Sequence, residues 1–177
     1  MERLPVFELI DQTVKILNDN RKMLETYADV LHDFFHRVLD DREESLVNIS
    51  TRVKGESSLR EKILRKNLYK RYAYPEGIIQ NLSDLIGVRI QCRFLEEESL
   101  IYETLRAAFT EKCADGLYCA PNQPNIRMDL SGEQPQIQNN GYAIYRIDGL
   151  CGPIGQSVRF ELQIKALVHV FWAEVEH

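Results

Sequence analysis

No run of about eighteen apolar residues occurs in the 177-residue chain, so the sequence offers no helix of membrane-spanning character. The N-terminus, "MERLPVFELIDQ", lacks the basic, apolar and small-residue order of a secretory signal, and a cytoplasmic protein is expected. Cysteine is sparse. Cys92, Cys113, Cys119 and Cys151 form no CxxC pair and share no metal-binding spacing with histidine, which predicts reduced, packed thiols and no zinc site. A basic excess is missing too: at a net charge of −5 the chain is not suited to coating a nucleic-acid backbone, although local basic clusters can hold a small anion. Internal repeats and low-complexity tracts are absent. What is present is the composition of a globular domain, 44% hydrophobic and 28% charged, and one domain over residues 1–177 is expected.

Periodicity divides that domain. Val6, Leu9, Ile10, Val14 and Leu17 recur at helical spacing until "NDN" at 18–20, and Met23, Leu24, Tyr27, Leu31, Phe34, Phe35, Val38 and Leu39 repeat the pattern. These helices fill an N-terminal segment, 1–45, ahead of a core at 46–177. Ser58 precedes Glu61 by three residues, a capping-box spacing that predicts a helix starting near 58 with Ser58 as its N-cap. In "DLIGVRIQCRF" at 84–94, Val88, Ile90, Cys92 and Phe94 alternate with Arg89, Gln91 and Arg93, the signature of a strand with one apolar face. "YAIYRIDGL" and "SVRFELQIK" alternate in the same way, and "EEESLIYETLRAAFTEK" reads as an amphipathic helix. Residues 113–140 show no sustained period and are expected to hold short strands and loop. The chain closes on a helix, "ALVHVFWAEVEH", without a capping glycine, which predicts a domain truncated at its C-terminus. The fold class is α+β, a sheet with helices on one face and an open polar face.

Three groups of residues are suited to chemistry on that open face. Arg52, Lys54, Ser58 and Lys62 converge near a helix start, a polyphosphate-binding arrangement that a solvated basic helix end would also produce. Asp84 and Glu161 lie at or on strands whose apolar residues point away from them, so they either share a divalent cation or are neutralised by neighbouring arginines. Tyr142 follows the turn "QNNG" and is placed either to stack on a base, with Asn139 or Asn140 reading its polar edge, or to pack. A fourth group leads nowhere. "LHDFFH" offers His32, Asp33 and His36, but a metal-dependent phosphohydrolase needs further ligands, and the other histidines, His169 and His177, both fall in the final helix.

Taken together, "RVKGESSLREK", "DLIGVRI", "NGY" and "FELQIK" followed by "FWAEVEH" resemble, in order and spacing, the synthetase domain of the RelA/SpoT family, the (p)ppGpp or alarmone synthetases. The resemblance runs from about Arg52 to His177. It implies a nucleotidyltransferase-like mixed sheet flanked by helices, and transfer of pyrophosphate from ATP to the 3′-hydroxyl of GDP or GTP, the activity of a GTP pyrophosphokinase. By the same resemblance Arg52 and Arg89 would sandwich adenine, and Lys54, Ser58 and Lys62 would hold the ATP phosphates. Asp84 and Glu161 would hold Mg2+, with Glu161 also helping to deprotonate the attacking hydroxyl. Tyr142 would stack on guanine with Asn140 beside it, and Gln163 would lie next to the metal ligand.

The chain departs from the family pattern on the acceptor side. Where the family continues its tyrosine as Tyr-x-Ser-x-His, this sequence has Ile144 for the serine and Arg146 for the histidine, and Lys165 then Ala166 stand where arginine then threonine are usual. Arg146 is therefore expected to meet an acceptor phosphate, with its bidentate geometry able to favour a different acceptor. Three readings stay open: transfer to GDP or GTP, transfer to an adenine nucleotide or an RNA 3′ end, and nucleotide binding without turnover. Retention of both carboxylates favours an enzyme. A homo-oligomer is compatible with all three.

Overall fold

The computed structural model describes residues 5–138 and 141–168. The C-terminal helix expected from "ALVHVFWAEVEH", apart from its first three residues, and the expected roles of Asn139 and Asn140 lie outside the described residues.

Two amphipathic helices open the chain, α1 (Val6–Asp19) and α2 (Arg21–Val38), at the positions that their apolar periodicity predicts. Strand β1 (Leu46–Val53) follows, and then come α3 (Glu56–Arg65), a single-turn α4 (Leu68–Arg71) and α5 (Pro75–Asn81). Strand β2 (Ile86–Cys92) leads into α6 (Leu95–Ala108). The irregular stretch after α6 contains β3 (Glu111–Lys112), β4 (Tyr118–Ala120), β5 (Gln123–Met128) and β6 (Gln136–Ile137), before the long strands β7 (Ala143–Cys151) and β8 (Val158–Ala166).

Among the described residues the sheet runs β1-β2-β8-β7-β5-β4-β3, with β6 paired to the start of β7. Every pairing is antiparallel except β2 with β8, which run parallel with Ile86 beside Phe160 and Gly87 beside Glu161. This central parallel pair sets the site, because it joins segments far apart in sequence.

The three alternating strands predicted from sequence all form, and their apolar sides are buried. Val88 and Ile90 of β2, Ile147 of β7, and Phe160, Leu162 and Ile164 of β8 lie in one core with Leu31, Phe34 and Phe35 of α2 and Ile101 and Leu105 of α6. Phe35 meets Phe160 edge-on at 6.2 Å between centroids, tying α2 to the centre of the sheet. Helices α1, α3 and α5 extend that core through Leu9, Leu59, Ile63 and Ile78. With helices on one face, the period-2 alternation turns Ser50, Arg52, Arg89, Glu161, Gln163 and Arg146 to the other.

Two sequence expectations need correction. Ser58 is not an N-cap: α3 begins two residues earlier, Gly55 is the cap residue in extended conformation, and Ser58 is exposed in the first turn. Phe94 does not extend the buried face of β2. The strand ends at Cys92, and Phe94 precedes α6 at 63% exposure, its backbone N–H donating to Glu97 Oε2 at 2.8 Å. Arg52 and Lys54 precede the start of α3 as expected, and Arg52 also lies on an edge strand absent from the sequence reading, β1, whose Ile49, Thr51 and Val53 pair with Ile90, Val88 and Ile86.

Candidate active site

Three strands build a cavity of about 190 Å³ on the open face, lined by Ser50, Thr51 and Arg52 of β1, Asp84, Gly87, Val88 and Arg89 at β2, and Glu161 and Gln163 of β8. Its floor dips at Gly87, which pairs with Arg52 on one side and Glu161 on the other. A Cβ at Gly87 would lie 3.5 Å from the Arg52 side chain, in ordinary contact, so the glycine leaves depth rather than relieving a clash.

Asp84 sits just ahead of β2, where the chain leaves α5 and enters the sheet. Its Oδ2 accepts from Lys54 Nζ at 2.8 Å, and its Oδ1 pairs with Lys62 Nζ at 2.7 Å. The first lysine is fixed by its own backbone N–H, which donates to the Leu85 carbonyl at 2.9 Å and prolongs the β1–β2 ladder. The second comes from the middle of α3. Burial alone pushes the Asp84 carboxyl upward. The hydrogen bonds and charges of Lys54 and Lys62 outweigh it and hold the group below its ordinary value.

Glu161, at the centre of β8, is engaged on both oxygens. Gln163, two residues on and on the same strand face, donates Nε2 to Oε1 at 2.6 Å, and Arg146 of β7 places Nε 2.9 Å from Oε2. The main chain at Arg146 is held in turn: its N–H donates to Gln134 Oε1 at 3.1 Å, and its carbonyl accepts from Gln134 Nε2 at 2.6 Å and Gln136 Nε2 at 3.1 Å. Next along β8, Lys165 is half-buried. Burial first and the Arg89 charge second hold its ammonium below the usual lysine value, with Glu161 and Glu98 opposing.

The cavity thus brings together Asp84, Glu161, Arg52, Arg89 and Gln163, with Lys54 and Lys62 joined to it through Asp84 and Arg146 through Glu161. Ser58 lies on the same helix as Lys62, one turn before it, but is not among the cavity-lining residues. Tyr142 stands before β7, half-exposed, after a turn in which Gly141 takes φ +82° and donates its N–H to the Gln138 carbonyl. That left-handed φ is why a glycine is needed there. Sequence reasoning missed Ser50 and Thr51, which belong to an unrecognised strand, and the Gln134–Gln136 clamp. The clamp carries no sequence signal, because two glutamines in an aperiodic segment are not distinguishable from solvated loop.

As a chemical environment the site offers two carboxylates, one paired with two lysines and the other with an arginine. Among the described residues no group of three or more His, Cys, Asp or Glu is placed to hold a metal by itself. Two carboxylates are nonetheless the donor set that Mg2+ accepts when phosphate oxygens supply the remainder. No helix among the described residues is long and apolar enough to cross a membrane.

The site is thus a cavity with two carboxylates, each paired to basic side chains, on the open face of an α+β fold. Residues 51–177 match the region found in RelA / SpoT proteins, and the chain belongs to that family. It is 26% identical over 141 residues to the GTP pyrophosphokinase YjbM of Bacillus subtilis (strain 168), a match covering 78% of this chain and 58% of that protein, so the chain spans less than two thirds of that relative's length. Its fold is that of the small alarmone synthetase 1 from Bacillus subtilis, with a TM-score of 0.63, 22% identity, and 90% of this chain and 78% of the other covered. The same enzyme bound to its product pppGpp gives a TM-score of 0.61 at 21% identity, covering 94% and 80% of the two chains.

Proposed function

We propose that this chain transfers pyrophosphate from ATP to the 3′-hydroxyl of GDP or GTP, releasing AMP and forming (p)ppGpp. The observation that carries the reading is the opposition of Asp84 and Glu161 in one cavity between two sets of cations. It is supported by the family, by a relative named a GTP pyrophosphokinase, and by a similar structure that holds pppGpp.

ATP enters on the β1–β2 side, where Arg52 and Arg89 flank adenine and Lys54 and Lys62, with Ser58 in the first turn of α3, receive the phosphates. Phosphate oxygens compete with Asp84 for the two lysines, so binding of ATP exchanges one ion-pair partner for another and leaves Asp84 available. The acceptor enters on the β7 side, with its base against Tyr142, its ribose near Glu161 and Gln163, and Arg146 at its phosphates. Glu161 takes the proton from the 3′-hydroxyl as that oxygen attacks the β-phosphorus. The bond from the β-phosphorus to the α,β-bridging oxygen breaks, and AMP leaves with that oxygen. Charge builds on several phosphoryl oxygens at once, which is what fixed cations stabilise. Mg2+, held by Asp84 and Glu161, supplies further charge neutralisation when bound.

The test is incubation with labelled ATP, Mg2+ and a panel of GDP, GTP, ADP and an RNA with a free 3′ end. AMP release with a pyrophosphorylated guanine nucleotide is expected. Product only with ADP or RNA would change the acceptor, and ATP binding without AMP release would make the chain a regulator. Glu161→Gln is expected to lower kcat by roughly a thousandfold or more, the scale for loss of a catalytic acid–base group, while the melting temperature is nearly kept. Full activity in that variant would overturn the role of Glu161.

A further inference from the structure

Both oxygens of Glu161 are occupied, and one of them by a full positive charge. The Gln163 amide at 2.6 Å is a neutral donor that orients the carboxylate and leaves its charge in place. The Arg146 guanidinium at 2.9 Å occupies Oε2 as a cation. A hydroxyl proton approaching Oε2 must displace it or share the oxygen against like-charge repulsion, whereas Oε1, whose partner is neutral, keeps its charge for a cation on its own side. An arginine at this position therefore does what a neutral imidazole would not: it ties up the group on which the proposed reaction depends.

Arg146 is built to let go from the side chain alone. Gln134 holds both its backbone N–H and its carbonyl, and Gln136 holds the carbonyl again, so the main chain is fixed. The side chain is 40% exposed against 14% for Glu161, and it also lines a second cavity with Asp129, Gln134, Gln136 and Asp148. Arg146 thus borders a cavity that Glu161 does not line.

The place of Arg146 in the sheet tells which phosphate could draw it away. Strand order puts Glu161 of β8 between β2 and β7. Arg52, Lys54, Lys62 and Arg89 lie on the β1–β2 side, and Arg146 lies across Glu161 from all of them. Tyr142 precedes Arg146 by four residues, placing it on the same side of the chain direction about 13 Å away at strand rise. That separation suits one nucleotide lying along β7, base at Tyr142 and phosphates at Arg146.

We propose that Arg146 is a latch on Glu161 opened by the acceptor: 5′-phosphates of the acceptor draw the guanidinium off the carboxylate, and Glu161 is then free to receive the 3′-hydroxyl proton. This rests on the pyrophosphate-transfer reading above. The substrate class it selects is a nucleoside 5′-di- or triphosphate, and a bare nucleoside is rejected at the chemical step because it leaves the latch shut. Only an ion pair is exchanged; no covalent step is added.

The experiment compares guanosine, GMP and GDP as acceptors at saturating ATP and Mg2+, in the wild type, Arg146→Ala and Arg146→Lys. In the wild type kcat is expected to be about a hundredfold higher with GDP than with guanosine, the upper range for one charge-assisted hydrogen bond. Arg146→Ala should shrink that ratio to within about tenfold, with guanosine turned over faster than by the wild type, and Arg146→Lys should fall between. A ratio unchanged by Arg146→Ala would overturn the latch, and an equal loss with every acceptor would place Arg146 on the donor phosphates instead. Calorimetric binding of GDP and guanosine without ATP gives a second readout. Arg146→Ala should weaken GDP by about tenfold or more and leave guanosine unchanged, and equal weakening of both would also overturn the proposal. If the wild type released no AMP with any acceptor, the transfer reading would fail while the binding comparison still decided the phosphate contact.

Discussion

Asp84 shows how one side chain can organise a site before any ligand arrives. Two lysines from different elements converge on it at 2.7 and 2.8 Å, one at the end of β1 and one from α3. Without the carboxylate they would face each other as like charges, with side chains only 9% and 21% exposed. Asp84→Asn is therefore expected to lower stability by about 1–3 kcal/mol, read from urea denaturation at pH 7. The companion Lys62→Ala should cost less, because it leaves Asp84 with Lys54. Equal losses would show that the Lys54 pair adds nothing to stability. Residue by residue, the sequence revealed which groups are chemical and left open which partners they take. Asp84, Glu161 and Arg89 were legible because each sits on the polar phase of an alternating strand or at its entry, and Arg52 because it stands in a basic cluster before a helix start. The Arg146–Glu161 contact was not, since it depends on the register of β7 against β8, in which Arg146 lies beside Gln163 and Asp148 beside Glu161.

At the scale of elements, the legible strands were those with unbroken alternation. β2, β7 and β8 each bury one phase of side chains under helices, and that physical demand is what the alternation records. β1 escaped because it is an edge strand with a bulge between Leu46 and Asn48, exposes Val47, and spends Asn48, Ser50 and Arg52 on polar positions. The early start of α3 has a similar cause. Ser57 and Ser58 both fit a cap, but the extended Gly55 places the helix start ahead of them, inside which Ser58 and Glu61 are ordinary helical neighbours. Where β7 crosses β5 and β8, Gly149 is required by space: a Cβ there would fall on the Phe160 ring and lie 2.7 Å from the Arg127 carbonyl oxygen. Gly149→Ala is expected to destabilise the protein by about 1–3 kcal/mol through displacement of Phe160 and the β5 backbone. Thermal melting tests this, with Gly132→Ala, where an added Cβ meets nothing within 4 Å, as the comparison that should change little.

For the molecule as a whole, composition located the class and the strands located the fold, while the shape of the open face came only with tertiary structure. The buried thiols give the whole fold a pH dependence. Burial pushes Cys92 and Cys151 up to about 12, with the charges of Glu98 and Glu97 adding to the first and Arg127 opposing in the second. Unfolded thiols ionise near 8.5. Between about 8.5 and 12 the unfolded chain therefore binds fewer protons than the folded one, and stability falls as pH rises. Each thiol contributes about 1.4 kcal/mol per pH unit within that window, and nothing below it. Lys165 works in the opposite direction, since its lowered value lets the folded state release a proton first and stability rise with pH up to the ordinary lysine range. One lysine offsets only part of two thiols. The urea midpoint is thus expected to be flat from pH 7 to 8 and to decline by pH 10, with a shallower decline in Cys151→Ala; a flat profile to pH 10 would contradict the burial of these thiols.

The parallel pairing of β2 with β8 has a consequence for how the chain acquires its chemistry. Ile86 must find Phe160, with α6 and five strands intervening, so Asp84 and Glu161 meet only through the most distant strand pairing that either of them takes part in. Such long-range contacts form slowly and carry a large loop-closure cost. A chain paused or cut before β8 would hold Asp84 and its lysines, yet lack the opposing carboxylate, the orienting glutamine and the floor between them. Completion of the site is therefore tied to this one pairing, and a partly made or partly unfolded chain lacks the paired carboxylates altogether.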